Sequence, residues 1–381
     1  MSDASVKGAA HALRAQFFVM GVLFATWGVH VPTVKSHYSL GEQGVALAML
    51  ISGAGALTAL AHAGRIVGSH GPRVIAAVMG TASCAAIAAL IATPYYAALA
   101  VAMLVFGACG SLFDVSLSSE ASEIERITGK PLMSGFHGMF SLGGMAGAGL
   151  GSVAPALGLT AQGHLLVATG AGAAAALLAS RFMLPVPDKG AAAEHHPLSL
   201  PRGPLLLLGV LAAMGLIAEG AIYDWSVLFM KQDRGSEPSI AALAYASFSG
   251  AMAAGRFGGD WVRARMAPRR LLRASGVLAA GGMLLVLAVD SPWVSLAGYA
   301  LVGLGLSNVV PVLFSAASQL PDVAPAHGIA AVAGVGYAGM MAGPPLIGLI
   351  AEHSSLTVGL LVVVVFAVFM AASAKRALGG A

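Results

Sequence analysis

A few ionisable side chains stand inside long apolar stretches, and their chemistry sets them apart from the rest of the sequence. Glu219 and Asp224 lie in one such stretch, Asp114 in a second and His137 in a third. Keeping a charge inside a bilayer-spanning helix costs about 2.5–3.5 kcal/mol on insertion scales, so a span that retains one usually has a functional reason. Carboxyl and imidazole groups at such positions can gain and lose a proton. These residues therefore point to proton movement rather than to bond cleavage.

Each of these acids also has a simpler interpretation. Glu219 lies about halfway along its stretch, where it can carry a proton or contact a solute, or stay protonated and bond to another helix. Asp224 lies five residues further on, about 140° around the helix from Glu219. It either contacts a solute or makes an interfacial or gate contact. Asp114 is the only acid well inside an apolar stretch of the N-terminal half. Its alternative location is the cytoplasmic surface. We assign Glu120 to a solvated loop and His30 to the membrane interface.

Several uncharged or weakly basic residues are candidate solute contacts. His137 and Ser141 are four residues apart and share a helical face, where the imidazole can relay a proton, bond a solute hydroxyl or bond a neighbouring helix. Trp27 and Trp225 offer flat rings that stack against sugars or amphipathic ligands, although tryptophan is also common at membrane interfaces. Asn308 offers an amide for a ligand or for an interhelical bond.

The composition defines the elements that must position these residues. Of 381 residues, 58% are hydrophobic and only 9% charged, and the mean hydropathy is +0.85. A water-facing globule averages about a quarter charged residues, so an ordinary soluble enzyme and a disordered chain are both excluded. The two cysteines provide no disulfide framework. The expected fold class is an all-α integral membrane protein.

Twelve apolar stretches reach the roughly 20 residues that a spanning helix needs. We predict a six-helix bundle over residues 1–184, a cytoplasmic linker over 185–203 and a second six-helix bundle over 204–381. The predicted spans are 14–34, 44–67, 74–92, 95–118, 132–156, 163–184, 204–230, 239–262, 271–289, 293–317, 326–351 and 356–374.

The positive charges predict the orientation. Seventeen of the 20 Lys and Arg residues fall on the side of the two termini, and only Lys35, Lys231 and Arg234 fall on the other. Because positive residues stay on the cytoplasmic side, both termini are predicted to be cytoplasmic. The basic isoelectric point of about 9.2 is then a topology signal, and no nucleic-acid partner is expected.

Short similarities relate the two predicted bundles. Gly64-Arg65 recurs as Gly255-Arg256 at an offset of 191 residues, and Gly144-Met145 recurs as Gly339-Met340 at nearly the same offset. A duplicated six-helix unit predicts two bundles that face a central path at mid-membrane depth.

Glycines repeat every four residues in two of the stretches. Gly143, Gly147 and Gly151 form one series, and Gly339 and Gly343 form the other. Small residues at this spacing let membrane helices approach closely. No strand precedes the first series, so a nucleotide loop is not predicted. No catalytic residue, metal ligand or cofactor is expected, and the chain is not predicted to be an enzyme.

The loop after the second span resembles a signature of the major facilitator superfamily of secondary transporters, and the resemblance covers essentially the whole chain. That signature is roughly G-x-L-x-D-R-x-G-R-K, and residues 64–73 read GRIVGSHGPR, with Gly68 in place of the aspartate. The resemblance implies two pseudo-symmetric six-helix bundles around a central cavity. It also implies a cytoplasmic gate of charged contacts, to which we assign Arg65, Gly68, Arg73, Arg256 and Asp260.

Three further stretches resemble the fucose-permease-like branch of sugar:proton symporters in bacterial inner membranes. They are residues 24–32 (FATWGVHVP), 134–144 (SGFHGMFSLGG) and 219–225 (EGAIYDW). This resemblance implies a monomeric transporter that moves a small solute together with protons by alternating access, with Asp114 among the proton-linked acids. A proton-driven efflux antiporter and a non-transporting membrane sensor or assembly protein remain alternatives.

Overall fold

The chain forms two compact units, residues 1–194 and 195–381, which are described separately. The computed structural model describes residues 3–129, 132–184, 202–320, 323 and 325–378. Within these ranges the regular structure is entirely α-helical, which confirms the predicted all-α class. The predicted linker, 185–203, falls almost wholly outside the described residues.

The described residues of unit 1 form six helices whose ends follow local sequence signals. Gly71, at φ 80°, both ends α2 and precedes α3, and Gly129, at φ 66°, ends α4. Thr160 caps α6, because its hydroxyl oxygen accepts a hydrogen bond from the amide of Gly163 at 3.0 Å. The helices are α1 (Asp3–His37), α2 (Glu42–His70), α3 (Pro72–Ala88), α4 (Tyr96–Thr128), α5 (Met133–Val153) and α6 (Ala161–Ser180).

In unit 2, the part of the chain that the structure describes forms eight helices. Most of them begin with a proline, which suits the first helical turn because no amide hydrogen is needed there. The predicted span 293–317 is broken at Ser307 and Asn308, so that it consists of two helices. The helices are α7 (Pro204–Gln232), α8 (Pro238–Phe257), α9 (Gly259–Arg263), α10 (Pro268–Ala288), α11 (Pro292–Leu306), α12 (Val309–Ser318), α13 (Pro325–His353) and α14 (Leu356–Leu378).

Nine described helical segments are long and apolar enough to cross a bilayer, the broken α11–α12 segment among them. The remaining three of the twelve predicted spans correspond to α3, with 17 residues, α5, with 21, and α8, with 20. The multi-span membrane architecture is therefore confirmed, whereas the number twelve stays a prediction.

The glycine series predicted to permit close packing do so. Within unit 1, α5 packs against α1, and a Cβ atom on Gly143 would clash with the backbone carbonyl of Phe18, while one on Gly147 would crowd Val22. Within unit 2, a Cβ atom on Gly339 would clash with Ala213 of α7. These close backbone contacts fix the helix pairs that carry the candidate site residues.

Candidate functional site

A buried ion pair joins α7 to α8 inside unit 2. The Nη2 atom of Arg256 donates hydrogen bonds to both carboxylate oxygens of Glu219, at 3.0 and 3.2 Å. Only 11% of the Glu219 side chain and 13% of the Arg256 side chain are exposed. Two paired charges are far easier to hold in an apolar bundle than one alone. The structure thus brings together the acid predicted to carry protons and an arginine assigned to the gate.

The break between α11 and α12 contacts the backbone of α8 next to Arg256. Asn308 donates from Nδ2 to the carbonyl oxygen of Gly255 at 3.2 Å and to the Ser307 hydroxyl oxygen at 3.0 Å. A Cβ atom on Gly255 would clash with Ser307, so glycine is what allows α8 to approach the break. Of the two roles left open for Asn308, the structure shows the interhelical hydrogen bond.

Aromatic rings lie next to the pair. Tyr223 follows Glu219 by four residues and so shares its face of α7. Its ring centroid lies 4.9 Å from that of Tyr245 and 5.0 Å from that of Phe248, both on α8. All three rings are buried. Asp224, one residue further along α7, is half-buried and makes contacts of its own.

Two buried polar groups, one on α7 and one on α8, remain open to a partner. Trp225 is fully buried inside unit 2, so its location is the helix bundle rather than an exposed belt. Among the described residues, neither the indole N–H of Trp225 nor the hydroxyl of Tyr245 has a hydrogen-bond partner. A buried polar group without a hydrogen bond costs about 1–3 kcal/mol, so both groups favour the binding of a polar ligand.

The candidate residues of unit 1 lie on α1, α4 and α5. Trp27 is buried on α1, and Asp114 is half-buried on α4. His137 is half-buried on α5, with its ring centroid 5.2 Å from that of Phe17 in an edge-on arrangement. Ser141 is fully buried and donates its hydroxyl proton to the carbonyl oxygen of His137 at 3.4 Å.

A histidine pair in unit 1 was not predicted from the sequence. His30 Nε2 lies 2.8 Å from His164 Nδ1, across α1 and α6, and both residues are buried. His30 therefore contacts another helix of unit 1, while its predicted location at the membrane interface stays a prediction. Burial cost would have drawn attention to His164 too, since it is a polar residue inside a predicted span.

The residues assigned to the gate occupy unlike environments. Arg65 is exposed near the end of α2, Arg73 is half-buried, and Gly68 is exposed with open space where a side chain would stand. The side chain of Asp260 lies outside what the structure describes. Arg65 and Arg256 therefore match in sequence but differ in burial.

The prediction for Glu120 was wrong. Its residue exposure is only 2%, and its Oε1 accepts a hydrogen bond from the amide of Leu184 at 2.6 Å, so it is not part of a solvated loop. A carboxylate there satisfies a backbone donor just beyond α6. Glu125, on the next turn of α4, similarly accepts from the amide of Met133 at the start of α5. Both contacts depend on tertiary packing that periodicity does not reveal.

Sequence comparisons place these observations in a family. The profile of the Major Facilitator Superfamily matches residues 13–337. An uncharacterized MFS-type transporter of Yersinia pestis is 35% identical over 365 residues, covering 95% of this chain and 94% of the relative. The membrane protein MosC of Rhizobium meliloti is 31% identical over 363 residues, covering 94% of this chain and 88% of that protein.

Solved transporter structures share the fold at low sequence identity. A bacterial homolog of the human lysosomal transporter Spinster gives a TM-score of 0.77 at 13% identity, covering 99% of this chain and 97% of the other. A D-xylose-proton symporter gives 0.74 at 14% identity, with 96% and 97% coverage. The nucleoside transporter NupG gives 0.67 at 14%, with 97% and 98% coverage. The chain belongs to the Major Facilitator Superfamily of membrane transporters.

Proposed function

We propose that this transporter couples the movement of a small polar or amphipathic solute to protons by alternating access, with sugar-like symport as the favoured mode. The buried pair of Glu219 and Arg256 carries the proposal, because it places a protonatable group and its counter-charge inside the same bundle. The named sugar and nucleoside transporters share only the fold with this chain, so they are compatible with a polar solute without identifying it.

The ion pair suggests how solute and proton are linked. Protonating Glu219 alone would leave the charge of Arg256 without its partner, which is costly in an apolar bundle. A solute whose oxygen atoms accept hydrogen bonds from Arg256 replaces the carboxylate as the partner of the guanidinium. Glu219 can then take up a proton at lower cost, and the loaded bundle becomes easier to reorient.

The solute contacts in this proposal come from polar groups beside hydrophobic rings. In unit 2, Trp225 and Tyr245 offer hydrogen-bond donors that have no partner among the described residues. Asn308 donates a hydrogen bond to the carbonyl oxygen of Gly255 and so positions the backbone next to Arg256 for solute binding. In unit 1 we assign Trp27 and the face shared by His137 and Ser141 to solute binding, and Asp114 and His137 to proton transfer beside Asp224 in unit 2.

Two other assignments belong to the same proposal. We place the protein in a bacterial inner membrane as a monomer with both termini in the cytoplasm, and we assign the gate to the charged ends of α2 and α8. Proton-driven efflux by antiport uses the same pair with the opposite solute direction. A non-transporting sensor or assembly protein would bind a ligand or partner without any flux.

A solute must first be identified. Thermal denaturation of the purified protein with sugars, carboxylates and cationic drugs will identify ligands, since a ligand that prefers the folded state raises the melting temperature. The best ligand is then offered to proteoliposomes with an imposed pH gradient.

The Glu219→Gln variant tests the coupling step. We expect the wild-type protein to accumulate the solute with the gradient and the variant to lose the gradient dependence. Glu237→Gln is the matched control, because Glu237 is an exposed glutamate just before α8 and should leave uptake unchanged. An unchanged gradient dependence in Glu219→Gln would remove Glu219 from the coupling role.

A further inference from the structure

The connection between α8 and α10 concentrates positive charge beside exposed aromatic rings. We call residues 257–273 the arginine segment. Phe257 is 52% exposed and Trp261 is 62% exposed. The segment contains five arginines. Arg263 is half-buried, and the other four are exposed: Arg265, Arg269, Arg270 and Arg273.

The corresponding connection of unit 1 lacks this segment. In unit 1, the proline that opens α3 follows the glycine of Gly64-Arg65 by eight positions. In unit 2, the proline that opens α10 follows the glycine of Gly255-Arg256 by thirteen. The additional five residues accommodate the short helix α9, which contributes Trp261. The aromatic and basic surface is therefore a property of one half of the molecule.

Arg265 and Trp261 contact each other within the segment. The Arg265 Cζ atom lies 4.2 Å from the centroid of the Trp261 ring, and Nη1 donates to the carbonyl oxygen of Trp261 at 3.1 Å. Among side chains that the structure describes, no carboxylate forms an ion pair with Arg265, Arg269, Arg270 or Arg273. The protein as described leaves these four charges open to an external anion.

These features match the chemistry of a membrane surface. The segment leads directly into α10, a helix able to cross the bilayer, so it lies where hydrocarbon meets water. Tryptophan rings favour the level of the lipid head groups. The guanidinium group of an arginine can donate two parallel hydrogen bonds to the oxygen atoms of one phosphate. We propose that the arginine segment binds the head groups of anionic phospholipids such as phosphatidylglycerol, with Trp261 and Phe257 set beside them.

A lipid fits this surface better than a protein partner does. The arginine segment carries five arginines against one acid, Asp260, and it leads directly into a helix able to cross the bilayer, with exposed aromatic rings beside the charges. Each arginine near an anionic bilayer strengthens binding about fivefold, so several together make a selective site. This inference is independent of the proposed proton coupling.

Native mass spectrometry of the purified full-length protein tests the proposal. Phosphatidylglycerol and phosphatidylcholine with the same acyl chains are titrated separately, and bound lipids are counted. We expect the wild-type protein to prefer phosphatidylglycerol. The triple variant Arg265→Gln/Arg269→Gln/Arg270→Gln should lose that preference by on the order of a hundredfold. The control Arg65→Gln/Arg73→Gln/Arg181→Gln, which removes three arginines from unit 1, should keep it.

A second measurement needs no arginine variant. Brominated phosphatidylglycerol in vesicles should quench the fluorescence of wild-type protein more than brominated phosphatidylcholine does, and Trp261→Phe should remove that difference. Equal retention of phosphatidylglycerol by the triple variant, or equal quenching by the two lipids, would overturn the proposal. Displacement of the lipid by inorganic phosphate at matched concentration would also overturn it, because the site would then recognise free phosphate.

Discussion

At the scale of single residues, the sequence identified the important side chains better than their partners. Glu219 and Arg256 were both singled out, but as a proton carrier and a gate residue rather than as one ion pair. Their pairing depends on how α7 and α8 are aligned, which the spacing of 37 residues does not reveal. A cation on a neighbouring helix is one way to accommodate a buried acid, and Glu120 shows another, a hydrogen bond from a backbone amide.

A double-mutant cycle on this pair measures its coupling. Glu219→Gln leaves a buried arginine unpaired, and Arg256→Gln leaves a buried carboxylate unpaired, so each should destabilise the protein by about 3 kcal/mol. The combined variant should lose clearly less than the sum, because no charge is then left alone. Thermal unfolding in detergent provides the readout. Simple additivity would show that the two side chains do not stabilise each other.

Glu120 offers a second test at the same scale. Glu120→Gln keeps an oxygen that can accept from the Leu184 amide, whereas Glu120→Leu leaves that amide without a partner. We expect the leucine variant to lose about 1–3 kcal/mol of stability and the glutamine variant to lose less. Melting temperatures of the two variants make the comparison. Equal losses would mean that the hydrogen bond to Leu184 contributes little.

At the scale of helices, composition and periodicity were sufficient for most elements. The glycine series of α5 and α13 was predicted to allow close packing and does so, because a four-residue repeat places small residues along one helical face. The break at Ser307 and Asn308 and the short helix α9 were not predicted. The break coincides with the hydrogen bonds that Asn308 donates, and α9 lies in the longer connection before α10.

Alanine substitutions within α5 separate packing from helix propensity. A Cβ atom on Gly143 would clash with the Phe18 carbonyl, while one on Gly149 meets no atom within 4 Å. Gly143→Ala should therefore destabilise unit 1 by about 1–3 kcal/mol, because α1 and α5 must separate. Gly149→Ala should be neutral or slightly stabilising. If both variants melted at the same temperature, the close contact between α1 and α5 would carry no energetic weight.

At the scale of the whole molecule, the low charge content predicted a membrane protein and the repeated motifs predicted two similar bundles, whereas transport was predicted from the resemblance to the major facilitator superfamily. The repeat is imperfect, since Arg65 is exposed whereas only 13% of the Arg256 side chain is exposed, and unit 2 has five additional residues before α10. Sequence similarity between halves therefore predicts their shared helices but not their separate roles. Substrate identity depends on the shape of a binding surface, which no motif in the chain encodes.

The orientation follows from the distribution of Lys and Arg and is testable on the whole chain. Both termini are predicted to be cytoplasmic, because seventeen of 20 basic residues lie on that side. Green fluorescent protein should fluoresce when fused to either end, and alkaline phosphatase fused at the C-terminus should be inactive. Active phosphatase at the C-terminus would require an odd number of spans or the opposite orientation.

Proton movement driven by the solute tests the central claim most directly. Proteoliposomes that contain a pH-sensitive dye are mixed with the identified solute in the absence of any imposed gradient. The wild-type protein should carry protons with the solute and shift the internal pH, while Glu219→Gln should still exchange labelled solute across the membrane without any shift. A pH shift of equal size in the variant would contradict the account, because protons would then move without the carboxyl group that pairs with Arg256.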